Sequence, residues 1–128
     1  MKKAFKVILT IIILIVLIFI AGMFYMTRGL ETGMNTEING VDTSTISNGQ
    51  YEGNYELGRW SNKVNVTVQD NIITKIELVD DVTFPQKNLA EVLFSSVIES
   101  QNTKVDTIAG ATVTSKAYLK SIESAFEK

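Results

Sequence analysis

The sequence contains no cysteine and no histidine. Without cysteine there is no disulfide framework, no thiolate to hold an iron–sulfur cluster, and no cysteine to carry a lipid anchor. Without histidine the commonest haem and zinc ligand is missing. Redox chemistry in this chain would have to be carried by an organic cofactor. Basic charge is also scarce. Residues 43–128 hold eight basic side chains against eleven acidic ones, and no basic patch suited to nucleic acid emerges. Tryptophan occurs once, at Trp60, and proline once, at Pro85.

What the chain does have in excess is apolar sequence near its N-terminus. Lys2, Lys3 and Lys6 precede a run from Val7 to Thr27 that carries no charge. At about 1.5 Å per residue this run spans roughly 31 Å, close to the hydrocarbon thickness of a bilayer. A cleaved secretory signal shares the basic start, but its apolar region is about 7–15 residues long and ends at an A-x-A-like site. Here "FIAGMFYM" offers only Ala21 and Gly22 as small residues, so an uncleaved anchor is expected. Three lysines before the span against Arg28 just after it place the N-terminus in the cytoplasm. The expected organisation is a cytoplasmic segment 1–6, a transmembrane helix 7–27, a linker 28–47 and an extracytoplasmic domain 48–128. The linker, "RGLETGMNTEINGVDTSTISNG", is rich in Gly, Thr, Asn and Ser and has no sustained period.

From Gln50 the pattern alternates. Tyr51, Gly53, Tyr55 and Leu57 fall on one face of a strand, and Val64, Val66 and Val68 on one face of the next. Asp70-Asn71 tolerates the positive φ of a tight hairpin turn. A third strand places Thr74, Ile76 and Leu78 inward, with Lys75 and Glu77 outward. Asp80-Asp81 and Pro85 end the sheet. Leu89, Val92, Leu93, Val97 and Ile98 then recur at helical spacing over Gln86 to Ser100, and Tyr118, Leu119, Ile122, Ala125 and Phe126 form a second helical stripe. Thr114 or Ser115 is the expected N-cap of the second helix. The fold class is α+β: a small antiparallel sheet, a meander of three strands or more, covered by two helices and preceded by one transmembrane helix.

The stretch "DTIAGATVTS", Asp106 to Ser115, concentrates small and hydroxyl residues just before that second helix. Gly110 admits positive φ and close backbone approach, while Ala109 and Ala111 keep the neighbouring volume small. Thr112 presents a hydroxyl near a helix N-terminus, where backbone N–H groups and the helix dipole favour an anion, phosphate above all. The same residues also fit an ordinary turn followed by a helix cap. The segment lacks the G-K-[ST] ending of a P-loop, and Thr112 has no histidine or cysteine to activate it as a nucleophile.

"VDTIAGATVTSKAYLKSIESAF" resembles the C-terminal signature of the FMN-binding domain found in the peripheral flavin subunits of sodium-pumping NADH:quinone reductases and Rnf complexes, and in small membrane-anchored flavoproteins. "NGQYEGNYELGRWSNKVNVTVQDNIITKIELV" is similar to the opening strands of that family, so the resemblance runs from Asn48 to Phe126. It implies FMN joined through its phosphate to Thr112, installed by a dedicated flavin transferase with FAD as donor. Asp106, Gly110 and Ala111 are the other motif positions, with Thr114 and Ser115 near the phosphate. Ala109 stands where the family most often has serine or threonine, and the stretch from Val79 to Leu89 lacks a longer loop that larger members place around the flavin.

The expected function is therefore a membrane-anchored extracytoplasmic electron carrier that passes electrons through FMN between a membrane donor and an outer acceptor. A non-covalent binding or interaction module of the same fold, and a flavin reductase acting on a small acceptor, are the alternatives. Trp60 is a candidate to stack on the flavin ring, with packing as its competing role. Tyr51, Tyr55 and Tyr118 are expected in or beside the core, Asp80-Asp81 in a solvated turn, and Asn65-Val-Thr67 matches a glycosylation sequon inside a strand.

Overall fold

In "NKVNVTVQ" each valine alternates with a polar residue, and a strand sends the two sets to opposite faces. The computed structural model, which describes residues 1–127, places Val64, Val66 and Val68 fully buried on the inner face of the strand Asn62–Gln69. This strand, β2, is central in a three-stranded antiparallel sheet of order β1-β2-β3, flanked by β1 (Gly49–Tyr55) and β3 (Ile72–Asp80). Tyr51 faces Val66 and Gly53 faces Val64 across the first ladder. The β2–β3 turn uses Asp70 at φ 54° and Asn71 at φ 62°, the paired positive dihedrals that Asp and Asn tolerate.

The third strand departs from strict alternation. Thr67 pairs with Lys75 but Val68 pairs with Ile73, so Thr74 is an extra residue without a partner. This bulge turns Thr74 outward, against its expected inward place, and puts Ile73 in the core instead. Ile76 and Leu78 remain packed against the core as their spacing implies.

Two helices cover the apolar face. The first, Leu89–Ser100, buries Leu89, Leu93, Phe94 and Val97, while Val92 stays exposed. It begins at Leu89 rather than Gln86 because Asn88 takes a left-handed conformation at φ 63°. The last helix, Thr112–Ala125, lies over β1 and β2 and fully buries Ala117, Leu119 and Ile122. Its approach to β1 leaves no room for a side chain at Gly53, where a Cβ would stand 1.9 Å from the Ser121 carbonyl oxygen and 2.7 Å from the Ala125 nitrogen. Ser121 Oγ, itself buried, donates to Asn62 Oδ1 at 2.5 Å and fixes the same contact from the side of β2.

The N-terminal helix, Lys2–Thr27, buries no residue in the chain, and its most apolar window has a mean hydropathy of 3.3. It is long and apolar enough to cross a membrane. With it as α1, the short helix Leu30–Asn35 is α2, Leu89–Ser100 is α3 and Thr112–Ala125 is α4. Residues 28–47 differ from the unstructured linker expected of them. They carry α2 and a 3-10 turn at Thr43–Thr45, and the domain satisfies their backbone. Gly40 N–H donates to Glu123 Oε1 at 2.9 Å, and the Asn71 side-chain amide donates to the carbonyls of Thr43, Ser44 and Ile46. Glu123 is buried and also accepts from Thr103 Oγ1 and Lys120 Nζ, each at 2.8 Å. The segment thus gains its order from side chains more than 20 residues away, which no local pattern encodes.

Gly53→Ala forces α4 off β1 and is expected to cost about 1–3 kcal/mol, the usual range for overpacking a filled core. Urea unfolding followed through the fluorescence of Trp60, the sole tryptophan, measures it.

Candidate functional site

The start of α4 is set by backbone conformation rather than by a capping side chain. Gly110 takes φ +80° with open space where a Cβ would point, and Ala111 follows as the N-cap at φ −140°, ψ 38°. Ala111 N–H closes the preceding turn on the Ile108 carbonyl at 2.9 Å, and the first helical bond runs from Ser115 N–H to the Ala111 carbonyl at 2.8 Å. The N–H groups of Thr112, Val113 and Thr114 therefore point out of the helix end with no acceptor inside it. Among the described residues no side chain caps them. The expected caps lie inside the helix. Ser115 is fully buried, its hydroxyl accepts from Ile108 N–H at 3.2 Å, and it lies outside the lining of the adjacent cleft, so it pins the loop from below. Thr114 is 7% exposed, whereas Thr112 is half-buried with its face open to a cleft.

That cleft has a volume of about 280 Å³. One wall is the backbone from Gly110 to Thr114, and the opposite one comes from Arg59, Trp60, Phe84 and Gln86. Leu30 and Met34 of α2 close it, because Gly33 lets α2 sit directly against Val113, where a Cβ would meet Val113 Cγ1 at 2.5 Å. Lys116 Nζ donates to the Met34 carbonyl at 2.7 Å and holds the end of α2 to α4.

The lining contains one guanidinium and no carboxylate. A cleft of about 330 Å³ elsewhere on the surface is lined by Glu56, Asp80 and Asp81 against a single cation, Lys63, and disfavours an anion. Free helix-terminal N–H groups, a cation, a hydroxyl and a glycine with open space beside it together fit a phosphate group. Of the motif residues, Gly110, Ala111, Thr112 and Thr114 converge on the cleft, while Asp106 is exposed and lies outside its lining.

Trp60 does not offer a stacking face. It is 2% exposed, and the Arg59 guanidinium covers its ring at 4.1 Å from the centroid. The accessible aromatic of the cleft is Phe84, 50% exposed, with the same guanidinium 5.7 Å from its centroid. Neither Arg59 nor Phe84 stands out in the sequence as a site residue. The available signals were a basic residue beside the sole tryptophan and an aromatic-proline pair in the segment that ends the sheet.

The Phe84 wall is positioned by two bonds. Thr83 N–H donates to the Arg59 carbonyl at 2.9 Å, and Tyr118 Oη donates to Asp81 Oδ1 at 2.5 Å. Asp81, expected in a solvated turn, thereby ties that turn to α4. Burial of the phenol, reinforced by the hydrogen bond and the negative charge of Asp81, raises the Tyr118 pKa above its ordinary value of 10.0. A raised folded-state pKa means that the stabilisation is complete below the unfolded value and declines as pH rises toward the folded one. Tyr118→Phe is expected to lose about 1 kcal/mol at neutral pH, a typical net hydrogen-bond contribution, and to flatten the fall in stability above about pH 10. Urea midpoints of both proteins across pH 7 to 11 check this.

Comparison with curated proteins gives no match. The FMN-binding domain family matches residues 58–127, which include Arg59, Trp60, Phe84 and the whole of α4, and so cover every wall of the cleft except the part formed by α2. This match extends over more than half of the chain, and the protein belongs to the FMN-binding domain family.

Proposed function

We propose that the protein is a membrane-anchored, extracytoplasmic electron carrier whose FMN is esterified through its phosphate to Thr112. The observation that supports this reading best is the convergence of the Thr112 hydroxyl, three uncapped N–H groups and Arg59 on one carboxylate-free cleft. FMN supplies reversible one- and two-electron chemistry that no side chain of this chain can perform.

The residues divide the remaining work. The N–H groups of Thr112, Val113 and Thr114 would hold the phosphate at the positive end of α4. Arg59 adds a full charge, kept in place by its stacking on Trp60 and by the bond from its Nε to the Met26 carbonyl at 2.9 Å. Phe84, Leu30 and Met34 limit water at the mouth of the cleft. Gly110 gives the backbone its turn without projecting a side chain toward the bound group. No carboxylate lines the cleft and the chain has no histidine, so attachment would fall to a flavin transferase: the Thr112 oxygen would bond to the FMN phosphorus of FAD as the bond to AMP breaks, with AMP leaving and the hydroxyl proton passing to a base of the transferase. A membrane donor and an outer acceptor complete the relay.

Co-expression with a flavin transferase is expected to add the mass of one FMN less one water to the wild-type chain, and nothing to Thr112→Val. Intact-mass spectrometry reads both; an equal increment in the two proteins would sink the assignment. In the Thr112→Val background, Arg59→Gln is expected to weaken non-covalent FMN binding roughly tenfold, the worth of one hydrogen bond to a charged group. Titration by flavin fluorescence at low salt tests that, since the contribution should shrink as salt rises.

A further inference from the structure

The mouth of the Thr112 cleft is built at the end of α1. Only Arg28 and Gly29 separate Thr27 from Leu30, so Leu30 lies within about 11 Å of the helix end even if the chain between them were fully extended. Two contacts hold that end to the domain: the Arg59 Nε bond to the Met26 carbonyl, and a Gly29 so close to Leu57 that a Cβ would meet its side chain at 2.8 Å. Around the mouth stand three apolar side chains with much of their surface open: Leu30 at 42%, Met34 at 49% and Phe84 at 50%. No carboxylate lines the cleft they surround, although acidic residues outnumber basic ones in residues 43–128. Glu31, the one acidic residue of α2, lies outside the lining.

We propose that this rim docks on the lipid surface. Leu30, Met34 and Phe84 enter the interfacial layer of the leaflet where α1 ends, with Arg28 and Arg59 at the level of the lipid phosphates. The inference rests on the reading of α1 as a membrane span. The distances agree, because the polar layer on each side of a bilayer is about 5–8 Å thick and interfacial apolar groups sit about 5–10 Å deep. Charge agrees as well, since Arg28 and Arg59 stand at the rim against one carboxylate, Glu31, whereas acidic residues outnumber basic ones in residues 43–128, so anionic headgroups favour the rim over the rest of the domain. The mouth of the cleft then faces the leaflet and is offered to partners in the bilayer.

Absence of native cysteine makes the test direct. Full-length Met34→Cys, Phe84→Cys, Gln69→Cys and Ile15→Cys are each labelled with an environment-sensitive fluorophore and placed in nanodiscs containing phosphatidylglycerol. Gln69 is exposed at the far end of β2, and Ile15 lies within α1. Labels at positions 34 and 84 are expected to be quenched by lipids carrying a nitroxide near the headgroup, and to be several-fold less accessible to iodide than the label at 69. Equal iodide access at 84 and 69, with the label at 15 deep in the bilayer, would overturn the docking and leave the anchor standing. A label at 15 open to iodide would overturn both. Two independent rim positions guard against a local disturbance at either one.

Discussion

The fold depends on a backbone-to-backbone contact between α4 and β1 at Gly53. With no Cβ there, the Ser121 carbonyl and the Ala125 nitrogen come down onto the strand, and the buried Ser121–Asn62 hydrogen bond locks the helix along its length. Every wall of the cleft is then referred to α4. Its first turn supplies Thr112 and the free N–H groups, its Val113 receives α2 through Gly33, and its Tyr118 holds the Asp81 turn that leads to Phe84. The last turns of the same helix carry Glu123, whose carboxylate orders residues 40 and 103. One rigid element thus sets both the phosphate-fitting end and the attachment of the domain to the chain that precedes it.

Chemistry missing from the side chains is supplied by position. Thr112 has no histidine or cysteine in the chain to activate it, and no carboxylate lines its cleft. What the chain contributes is a helix terminus left uncapped. Capping groups are inexpensive to provide, and their replacement costs about 0.5–2 kcal/mol. Here the candidate caps are spent elsewhere or withheld: Ser115 holds Ile108, and Ala111 occupies the cap itself. In a small domain such an open terminus gives stability away at the point where an anion would restore it.

Much of this was legible in the sequence where the pattern depends only on which face of an element is buried. The alternation of Val64, Val66 and Val68 and the spacing of Leu89, Leu93 and Val97 identify their elements because two environments, core and water, sort the residues. Thr74 was misplaced because a bulge is a property of two paired strands. Residues 28–47 gave no signal because their backbone bonds end on Glu123, Asn102 and Asn71. At the site, Thr112, Gly110 and Ala111 stood out as one contiguous motif, whereas Arg59 and Phe84 reach the cleft only through the fold. Trp60 was visible as the sole tryptophan, but its burial beneath Arg59 was not.

The central claim is that the open first turn of α4 is the tether for FMN, and peptide mapping of the mature protein tests it most directly. Trypsin cutting after Lys104 and Lys116 releases residues 105–116, which contain Thr107, Thr112, Thr114 and Ser115 as possible acceptors. One flavin-fluorescent peptide with these bounds is expected, with fragmentation placing the FMN mass on Thr112. Flavin on Thr107, Thr114 or Ser115, or on a peptide outside the first turn of α4, would contradict it.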